Sequence, residues 1–499
     1  MNKQIKILAV AIMVCYSVLF LKLNQVQILE AGKYNRRIDN TRSLQRDFNE
    51  PRGDIVTADG AIAATSEERR SALRFQRVYP DGDLFAHVTG YYSFNLGSDG
   101  VERYYNDDLA GQTNALKLHE LSGLFSDTSS EGDVVLTVRK DVQTVAKQAL
   151  GDRKGSVVAL DPETGGVLAM WSNPSYDPNI VSSNDTEQAT AAKALLDAAP
   201  DKPLVARTYR ETFFPGSTFK VVTATAGLTS GKVSDTSPDY PVVTSYTPPL
   251  TSRAISNFDG NACGGTLPTI LARSCNSSFA EMAAETLGPD PMIDAAQAAG
   301  FNEVPPIDLP RPATSVYPTD FGAVVQTPEG KAPVYEDTPK LAQTGIGQND
   351  VRATPLQMTL VAAGVANEGR IMTPHVMSAI RARDGEVVTR YDVSPWKDSM
   401  SSDAAATLRA DMIGVVQSGT ARSVAIPGVE VGAKTGTAQL GTTPPRSHAW
   451  MIAFAGPPGG EATAAVAVIV EGLDGTSAAT GGSVAGPIAK SVLEAALAR

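Results

Sequence analysis

The sequence predicts an α+β protein in three parts: a transmembrane helix over residues 5–23, a small mixed domain over 30–132 and a larger domain over 150–499. Three observations support this prediction. An apolar run lies near the start of the chain, alternating apolar runs in the C-terminal half indicate antiparallel strands, and helical patterns occur between and after those strands. The larger domain is therefore expected to be an antiparallel sheet flanked by helices.

The apolar run from Ile5 to Leu23 is long enough to span a bilayer. Its 19 residues would form a helix of about 28 Å. Lys6 and Lys22 lie near its ends, where long side chains reach the headgroups. A cleaved signal peptide is the competing interpretation, but no small-x-small cleavage site follows Leu21. We therefore expect a single uncleaved anchor.

The strands of the larger domain follow from apolar patterns. Residues 155–171 contain two apolar runs around an Asp-Pro-Glu-Thr-Gly-Gly turn, which predicts a β-hairpin. Residues 429–439 alternate like an edge strand, 448–455 and 465–470 are further strands, and 486–497 predicts a closing helix.

Composition excludes several function classes. A chain of 499 residues is long enough for more than one domain. A net charge of −11 and a pI near 5.0 argue against nucleic acid as a partner. The four histidines form no metal-ligand spacing with the cysteines, and no glycine-rich nucleotide loop is present, so we expect neither metal nor cofactor. These histidines are His87, His119, His375 and His448.

Three short strings in a fixed order carry the chemistry. They are Ser217-Thr-Phe-Lys220, Ser274-Cys-Asn276 and Lys434-Thr435-Gly436-Thr437. Each string alone is short enough to arise by chance, and Ser394-Pro-Trp-Lys397 also fits the first pattern. No asparagine follows Asn367, so the second copy cannot be followed by a Ser-x-Asn string. The ordered set is therefore the informative signal.

Ser217 and Lys220 have the spacing of a nucleophile and its base. A Phe-Phe-Pro-Gly breaker precedes Ser217, and 217–228 predicts a buried helix with Ser217 at its N-terminus. Lys220 returns to the same helix face after three residues. A serine hydroxyl needs a base to remove its proton, and only a neutral amine can do so. Burial and the nearby cation Lys434 would lower the pKa of Lys220.

The other two strings supply groups for the same reaction. The Ser274 hydroxyl could relay the proton to the leaving amine, while the Asn276 amide could bind the substrate backbone and hold Lys220 in place. An edge strand containing Lys434 could pair with an extended peptide. Thr435 and Thr437 would offer hydroxyls to a substrate carboxylate, and Gly436 would allow a close approach.

These strings resemble the signature of the penicillin-binding proteins and serine β-lactamases. The resemblance covers residues 150–499 and includes the 155–171 hairpin and two further segments. It implies the transpeptidase-like fold, with the oxyanion hole formed by the backbone N–H groups of Ser217 and Thr437. The Ser-Cys-Asn and Lys-Thr-Gly-Thr variants are most similar to the penicillin-binding protein A branch of actinobacteria. The two further segments are Gly345-Ile-Gly-Gln348 and Thr354-Pro-Leu-Gln357.

The N-terminal domain resembles the pedestal of class B penicillin-binding proteins. Residues 51–55, 86–91 and 100–109 carry this resemblance, which implies that Arg52 and Glu102 form structural ion pairs. The boundary to the larger domain is expected within 122–132. The stretch from the anchor to this boundary is too short for a glycosyltransferase domain, which excludes the bifunctional class A arrangement.

The resemblance implies a membrane-anchored D,D-transpeptidase whose catalytic domain lies outside the cytoplasm. Its expected partners are peptidoglycan stem peptides and the lipid-linked precursor, β-lactam antibiotics, and proteins of cell division or elongation. The alternatives are a D,D-carboxypeptidase, a β-lactamase, or a division scaffold that keeps the fold without activity. A β-lactamase needs a dedicated base for fast deacylation, which the three strings do not supply.

Cys263 and Cys275 leave two interpretations open. In an oxidising compartment they could form a disulfide that ties the loop before the second string to the string itself. Alternatively, Cys275 is a small buried residue without a partner. Cys15, in the predicted span, is expected to stay unpaired.

Overall fold

The computed structural model describes residues 2–25, 45, 47–122, 131–474 and 480–498. Its mixed helices and strands confirm the predicted α+β class. The first part of the predicted N-terminal domain, at 30–44, lies outside the described residues, as does most of the predicted boundary segment 122–132.

One helix, Asn2–Asn24, contains the predicted span. The most apolar window of its segment Lys3–Asn24 has a mean hydropathy of 2.2 and is not buried against the rest of the protein. Length and composition therefore allow this helix to cross a membrane, although an N-terminal signal sequence would meet the same test.

The larger domain is built on a five-stranded antiparallel sheet. The predicted hairpin forms two of its strands, and the turn between them is closed by a hydrogen bond from Gly165 N to Asp161 O. The strand that carries Lys434 lies at one edge, as its sequence pattern predicts. In spatial order, the strands are Glu430–Gln439, Arg446–Gly456, Ala464–Asp474, Gly155–Leu160 and Val167–Asn173.

Helices cover both faces of this sheet. Lys140–Leu150 and Gly486–Leu497 pack against each other and against one face. Pro355–Ala366 packs against the other face, and every residue of it is buried, because its sequence is apolar all round. The Thr354 side chain accepts a hydrogen bond from Gln357 N and so caps the start of this helix.

The other helical segments connect these layers. The short 3₁₀ helices are Gly82–Phe85, Gly216–Phe219, Phe258–Gly260 and Arg422–Val424, and the π-helical turns are Met282–Leu287 and Gly481–Ala485. The remaining α-helices are Ala86–Thr89, Gly100–Tyr104, Asn106–Leu109, Asn114–Ser122, Pro178–Val181, Thr186–Ala198, Arg207–Arg210, Lys220–Thr229, Leu267–Arg273, Asn276–Glu281, Pro289–Ala298, Thr338–Thr344 and Ser402–Gln417.

Short two-stranded pairs make up most of the remaining β-structure. They are Tyr92–Ser93 with Gly97–Ser98, Tyr240–Val243 with Cys263–Gly265, Ser245–Tyr246 with Ile255–Ser256, Val324–Gln326 with Val334–Tyr335, and Arg370–Met372 with Pro395–Asp398.

A six-stranded sheet joins the N-terminal domain to a hairpin from the C-terminal half. Met377–Ala382 pairs antiparallel with Gly132–Leu136, which itself runs parallel to Ile55–Val56. The sequence analysis did not predict this hairpin as part of the N-terminal domain, because strands so distant in sequence carry no local signal of their pairing. In spatial order, the strands are Val387–Arg390, Met377–Ala382, Gly132–Leu136, Ile55–Val56, Ile62–Glu68 and Phe75–Val78.

A buried charge cluster holds the N-terminal domain together. Glu102 is fully buried and accepts hydrogen bonds from Arg52 Nε at 2.8 Å and from Arg77 Nε at 2.6 Å. Burial alone would raise the pKa of Glu102, but Arg77 and Arg52 together hold it below its ordinary value. Arg52 and Glu102 therefore form the structural ion pair that the sequence resemblance implied.

Candidate active site

Ser217 lies in a tight turn against the edge strand. The 3₁₀ helix Gly216–Phe219 contains it, and the α-helix begins only at Lys220, later than the sequence pattern indicated. Gly216 has φ +55°, and a Cβ there would lie 3.0 Å from the Thr437 carbonyl oxygen. Glycine is thus required at this position for both its backbone angle and its close contact. The turn brings the backbone next to Ser217 against Thr437.

Lys220 is fully buried and makes three polar contacts with the second string. Its Nζ donates to Asn276 Oδ1 at 2.7 Å and to the Ser274 carbonyl oxygen at 2.8 Å, and it lies 3.3 Å from Ser274 Oγ. Ser274 adopts a left-handed backbone conformation, with φ +58°, at the end of the helix Leu267–Arg273. The first and second strings therefore meet at the Lys220 amine.

Lys434 joins the same cluster from the edge strand. Its Nζ donates to Ser274 Oγ at 2.8 Å and to the Thr435 carbonyl oxygen at 3.0 Å. The Ser274 hydroxyl consequently lies between two buried lysines. The structure thus brings together residues of all three strings, although 54 residues separate Lys220 from Ser274 and 160 separate Ser274 from Lys434.

Burial shifts the protonation of both lysines. Desolvation lowers the pKa of Lys220 well below its ordinary range, and the charge of Lys434 lowers it further. Desolvation lowers the pKa of Lys434 to about 7. Both shifts have the direction expected for a lysine that must be neutral to remove a proton.

Ser217 is partly exposed, and its hydroxyl has no hydrogen-bond partner among the described residues that would have to be displaced by a ligand. In particular, it makes no hydrogen bond to Lys220. Catalytic hydrogen bonds are often long in the free enzyme and shorten when substrate binds. The pairing of Ser217 with Lys220 therefore stays a prediction from the sequence spacing, while the hydrogen bonds of the lysine go to Ser274 and Asn276.

The edge strand packs closely on the serine turn. A Cβ at Gly436 would lie 2.9 Å from Thr218 Cγ2 and 3.0 Å from the Pro215 carbonyl oxygen. Glycine is required there because the turn itself comes close, independently of any substrate. Thr437 is partly exposed, whereas Thr435 is mostly buried and its hydroxyl lies 2.8 Å from that of Thr420.

The sequence analysis did not predict which residues hold the Asn276 side chain in place. Its Nδ2 donates to the Ser256 carbonyl oxygen at 2.9 Å, so the loop before the second string contacts the site directly. The next residue, Asn257, is buried and bonds to Ser277. An Ile-Ser-Asn sequence in a polar loop carries no signal that could have revealed either contact.

The structure joins Cys263 and Cys275 in a disulfide, with their Cα atoms 5.5 Å apart. In the chain-entropy model, a loop of this size contributes about 3 kcal/mol. We expect the denatured, unreduced full-length protein to have one titratable thiol, that of the exposed Cys15. Full reduction should then release the thiols of all 3 cysteines. Titration of every thiol before reduction would rule out the bridge.

The second Ser-x-x-Lys copy lies apart from this cluster. Ser394 is exposed, and Lys397 lies on a short strand where its Nζ pairs with Glu303 at 2.5 Å. Lys397 is thus paired with an exposed carboxylate. This environment supports the interpretation of the second copy as a chance match.

One surface group among the described residues has ligand atoms close enough to hold a metal ion. It consists of His119, Asp384 and Glu386, whose ligand atoms lie within 4.8 Å of one another. A direct hydrogen bond of 2.9 Å between His119 Nε2 and Asp384 Oδ2 accounts for this geometry without an ion. The group shares no residue with the lysine cluster.

Two family models match the chain. Residues 155–494 match the penicillin-binding protein transpeptidase domain, and residues 52–135 match the penicillin-binding protein A dimerisation domain. The chain is 36% identical to the peptidoglycan D,D-transpeptidase PbpA of Mycolicibacterium smegmatis, over 100% of this chain and 99% of the relative. It is 34% identical to PbpA of Mycobacterium tuberculosis over the same shares.

Solved structures with covalently bound antibiotics are similar to this fold. The ceftriaxone acyl-enzyme complex of penicillin-binding protein A from M. tuberculosis has a TM-score of 0.80 at 34% identity, covering 91% of this chain and 100% of that one. The penicillin G acyl-enzyme complex of the same protein has a TM-score of 0.78 at 34% identity, covering 90% and 99%.

Proposed function

The chain belongs to the penicillin-binding proteins, and from this premise we propose that it is a peptidoglycan D,D-transpeptidase that cross-links stem peptides and is acylated by penicillins. The observation that carries the proposal is the buried Lys220 amine. Its two shortest hydrogen bonds, to Asn276 Oδ1 and the Ser274 carbonyl, use both N–H groups of a neutral amine. Because the third contact, to Ser274 Oγ, is longer at 3.3 Å, the nitrogen lone pair stays available to accept the proton of Ser217.

In the first step, Ser217 Oγ attacks the carbonyl carbon between the two terminal D-alanines while its proton passes to Lys220. The N–H groups of Ser217 and Thr437 would stabilise the oxyanion, and loss of one such donor typically costs about 10²- to 10³-fold in rate. The C–N bond then breaks, and the departing D-alanine takes the proton as its amine. The Ser274 hydroxyl, 2.8 Å from Lys434 Nζ, can relay this proton.

In the second step, an amine of a neighbouring stem attacks the acyl-enzyme carbonyl. The amine loses a proton to the site and the Ser217 oxygen regains one, so the enzyme returns to its starting state. During the first step, Lys434, Thr435 and Thr437 would bind the terminal carboxylate of the donor stem along the edge strand, and Gly436 would keep that strand close to the serine turn. A penicillin imitates the donor and acylates the same serine.

The domain assignment follows from the same proposal. Residues 5–23 form the membrane anchor, 30–132 form the pedestal and 150–499 form the transpeptidase domain. The family matches at 52–135 and 155–494 support the second and third parts. The catalytic domain then lies outside the cytoplasm, with the stem peptides and the lipid-linked precursor as its substrates. Proteins of cell division or elongation are the expected protein partners.

Transfer to an amine should dominate over hydrolysis. The side-chain hydrogen bonds that Lys220, Ser274, Asn276 and Lys434 make with described residues join them to one another or to backbone carbonyl groups, and none involves a carboxylate. No carboxylate among them can activate a deacylating water. With a thioester analogue of the donor stem, added D-amino acid should raise turnover and give an aminolysis product.

For the same reason, the penicilloyl adduct on Ser217 should persist after removal of free penicillin. Rapid release of opened penicillin without an aminolysis product at any amine concentration would indicate a β-lactamase. Hydrolysis of the stem peptide alone, with no transfer, would indicate a D,D-carboxypeptidase. Absence of any adduct would favour the remaining alternative, a division scaffold that keeps the fold without activity.

A further inference from the structure

Asn257 clamps the loop 234–262 onto the helix that begins with Asn276. Its Oδ1 accepts from Ser277 N at 2.9 Å, and its Nδ2 donates to Ser277 Oγ at 3.0 Å and to the Val243 carbonyl oxygen at 2.8 Å. The side chain is buried, and its own N–H bonds to the Thr244 carbonyl at 2.9 Å. Every polar group of the Asn257 side chain is thus used to fix this loop.

The clamp fixes the direction of the Asn276 amide. Ser256 directly precedes Asn257, and its carbonyl oxygen accepts from Asn276 Nδ2 at 2.9 Å. With the amino group of Asn276 held there, the amide oxygen faces Lys220 Nζ at 2.7 Å. The helix itself has no side-chain cap from Cys275, and Asn257 satisfies the N–H of its second residue, Ser277.

The orientation of the Asn276 amide determines whether the lone pair of Lys220 Nζ is free to accept a proton. A neutral amine has two N–H donors and one lone pair, and the Asn276 oxygen takes one of the donors. If the amide turned around, its NH₂ group would donate to the lone pair that must accept the Ser217 proton. The nucleophile would then lose its base although Lys220 itself is unchanged.

We propose that Asn257 is a positioning residue for acylation: through the Ser256 carbonyl it holds the Asn276 amide so that the Lys220 lone pair stays free for Ser217. The inference rests on the proposed function, in which Lys220 is the base. It adds a residue that touches neither substrate nor the reacting atoms.

The test is Asn257→Ala in the full-length protein in detergent, with acylation by a fluorescent penicillin followed over time and normalised to the labelled fraction. The acylation rate constant should fall by about 10- to 100-fold. The penicillin dissociation constant should change by a smaller factor than the acylation rate constant. The acid limb of the pH–rate profile should move to lower pH, because the Asn276 oxygen favours the charged form of Lys220. A merely structural loss would leave the rate constant of the folded fraction and its pH profile unchanged.

Asn179 offers a matched control. Its side chain also binds a backbone segment through both of its polar atoms: Oδ1 accepts from Tyr79 N and Nδ2 donates to the Tyr79 carbonyl oxygen, both at 2.9 Å. It makes no hydrogen bond to a described residue of the site. Asn179→Ala should lower thermal stability without changing the acylation rate constant or its pH profile.

A double-mutant cycle distinguishes an effect of Asn257 that acts through the Asn276 amide from a general loss of structure. In the background of Asn276→Ala, Asn257→Ala should cause no further loss of acylation rate, because the amide that it holds is gone. Equal losses in both backgrounds would overturn the proposal, as would a rate constant no lower than that of Asn179→Ala.

If Asn257→Ala does not fold, Asn257→Ser takes its place, since it is uncharged, keeps a hydrogen-bonding oxygen and is too short to bridge Val243 and Ser277. The same double-mutant cycle and pH profile are then measured with this variant. Absence of acylation in the unaltered protein would instead contradict the proposed function, and is thereby distinguished from a failure of the clamp.

Discussion

Replacing Lys220 by methionine is expected to lower the rate of acylation by penicillin by about 10²- to 10⁴-fold, the range typical for loss of a general base. Methionine has a similar length and no proton acceptor comparable to an amine. Because Lys220 is fully buried, an apolar side chain should be accommodated without loss of thermal stability. Stopped-flow acylation and thermal unfolding measured on the same preparation would check both parts.

Lys397→Met is the control for this substitution. Lys397 occupies the equivalent place in the second Ser-x-x-Lys copy, where it pairs with Glu303. Its replacement should leave the acylation rate unchanged. Normal acylation of Lys220→Met would contradict the role of Lys220 as base.

The pH dependence of acylation follows from the same lysine. Its pKa is lowered in the folded protein, so the neutral form becomes dominant at a lower pH than for an ordinary lysine. The acylation rate should therefore rise with pH through this pKa and then level off. Lys434→Gln should move the rise to higher pH, because it removes one of the two causes that lower the pKa of Lys220. A rise at unchanged or lower pH would show that Lys434 does not act on Lys220 in this way.

Replacing Glu102 by glutamine should destabilise the N-terminal domain by about 3–5 kcal/mol, the usual effect of breaking a buried ion pair. The change would leave the buried guanidinium groups of Arg52 and Arg77 without their shared carboxylate. In the unaltered protein, the folded-state pKa of Glu102 is lowered, so its contribution is complete at neutral pH. It should be lost as the pH falls below the ordinary range of a glutamate.

Urea unfolding of the two proteins would measure this effect. Glu68→Gln is the control, since Glu68 forms an exposed ion pair with Arg74 that should contribute no more than about 1 kcal/mol. Equal effects of the two substitutions would contradict a stabilising role for the buried cluster.

The sequence was informative where chemistry depends on local spacing. Ser217 and Lys220 lie three residues apart, and the Phe-Phe-Pro-Gly breaker indicates the turn before them. The edge strand with Lys434 follows from its alternating pattern, and the structure has it at the edge of the sheet. Apolar residues around Lys220 also predicted its burial, from which the direction of its pKa follows.

Contacts between distant segments could not be predicted in this way. The hydrogen bond from Asn276 to Ser256 depends on how a polar loop folds back over a helix. No local sequence pattern indicates the course of that loop. The pairing of Met377–Ala382 with Gly132–Leu136 could not be predicted either, because the pattern of a short apolar strand does not specify which strand lies beside it. The order of the three strings indicated that they meet, but not that the Ser274 hydroxyl lies between Lys220 and Lys434.

Mass spectrometry of the full-length protein after exposure to penicillin tests the central claim most directly. The account predicts one penicilloyl adduct on the peptide that contains Ser217, absent in Ser217→Ala and retained in Ser394→Ala. An adduct that survives Ser217→Ala and disappears in Ser394→Ala would contradict it.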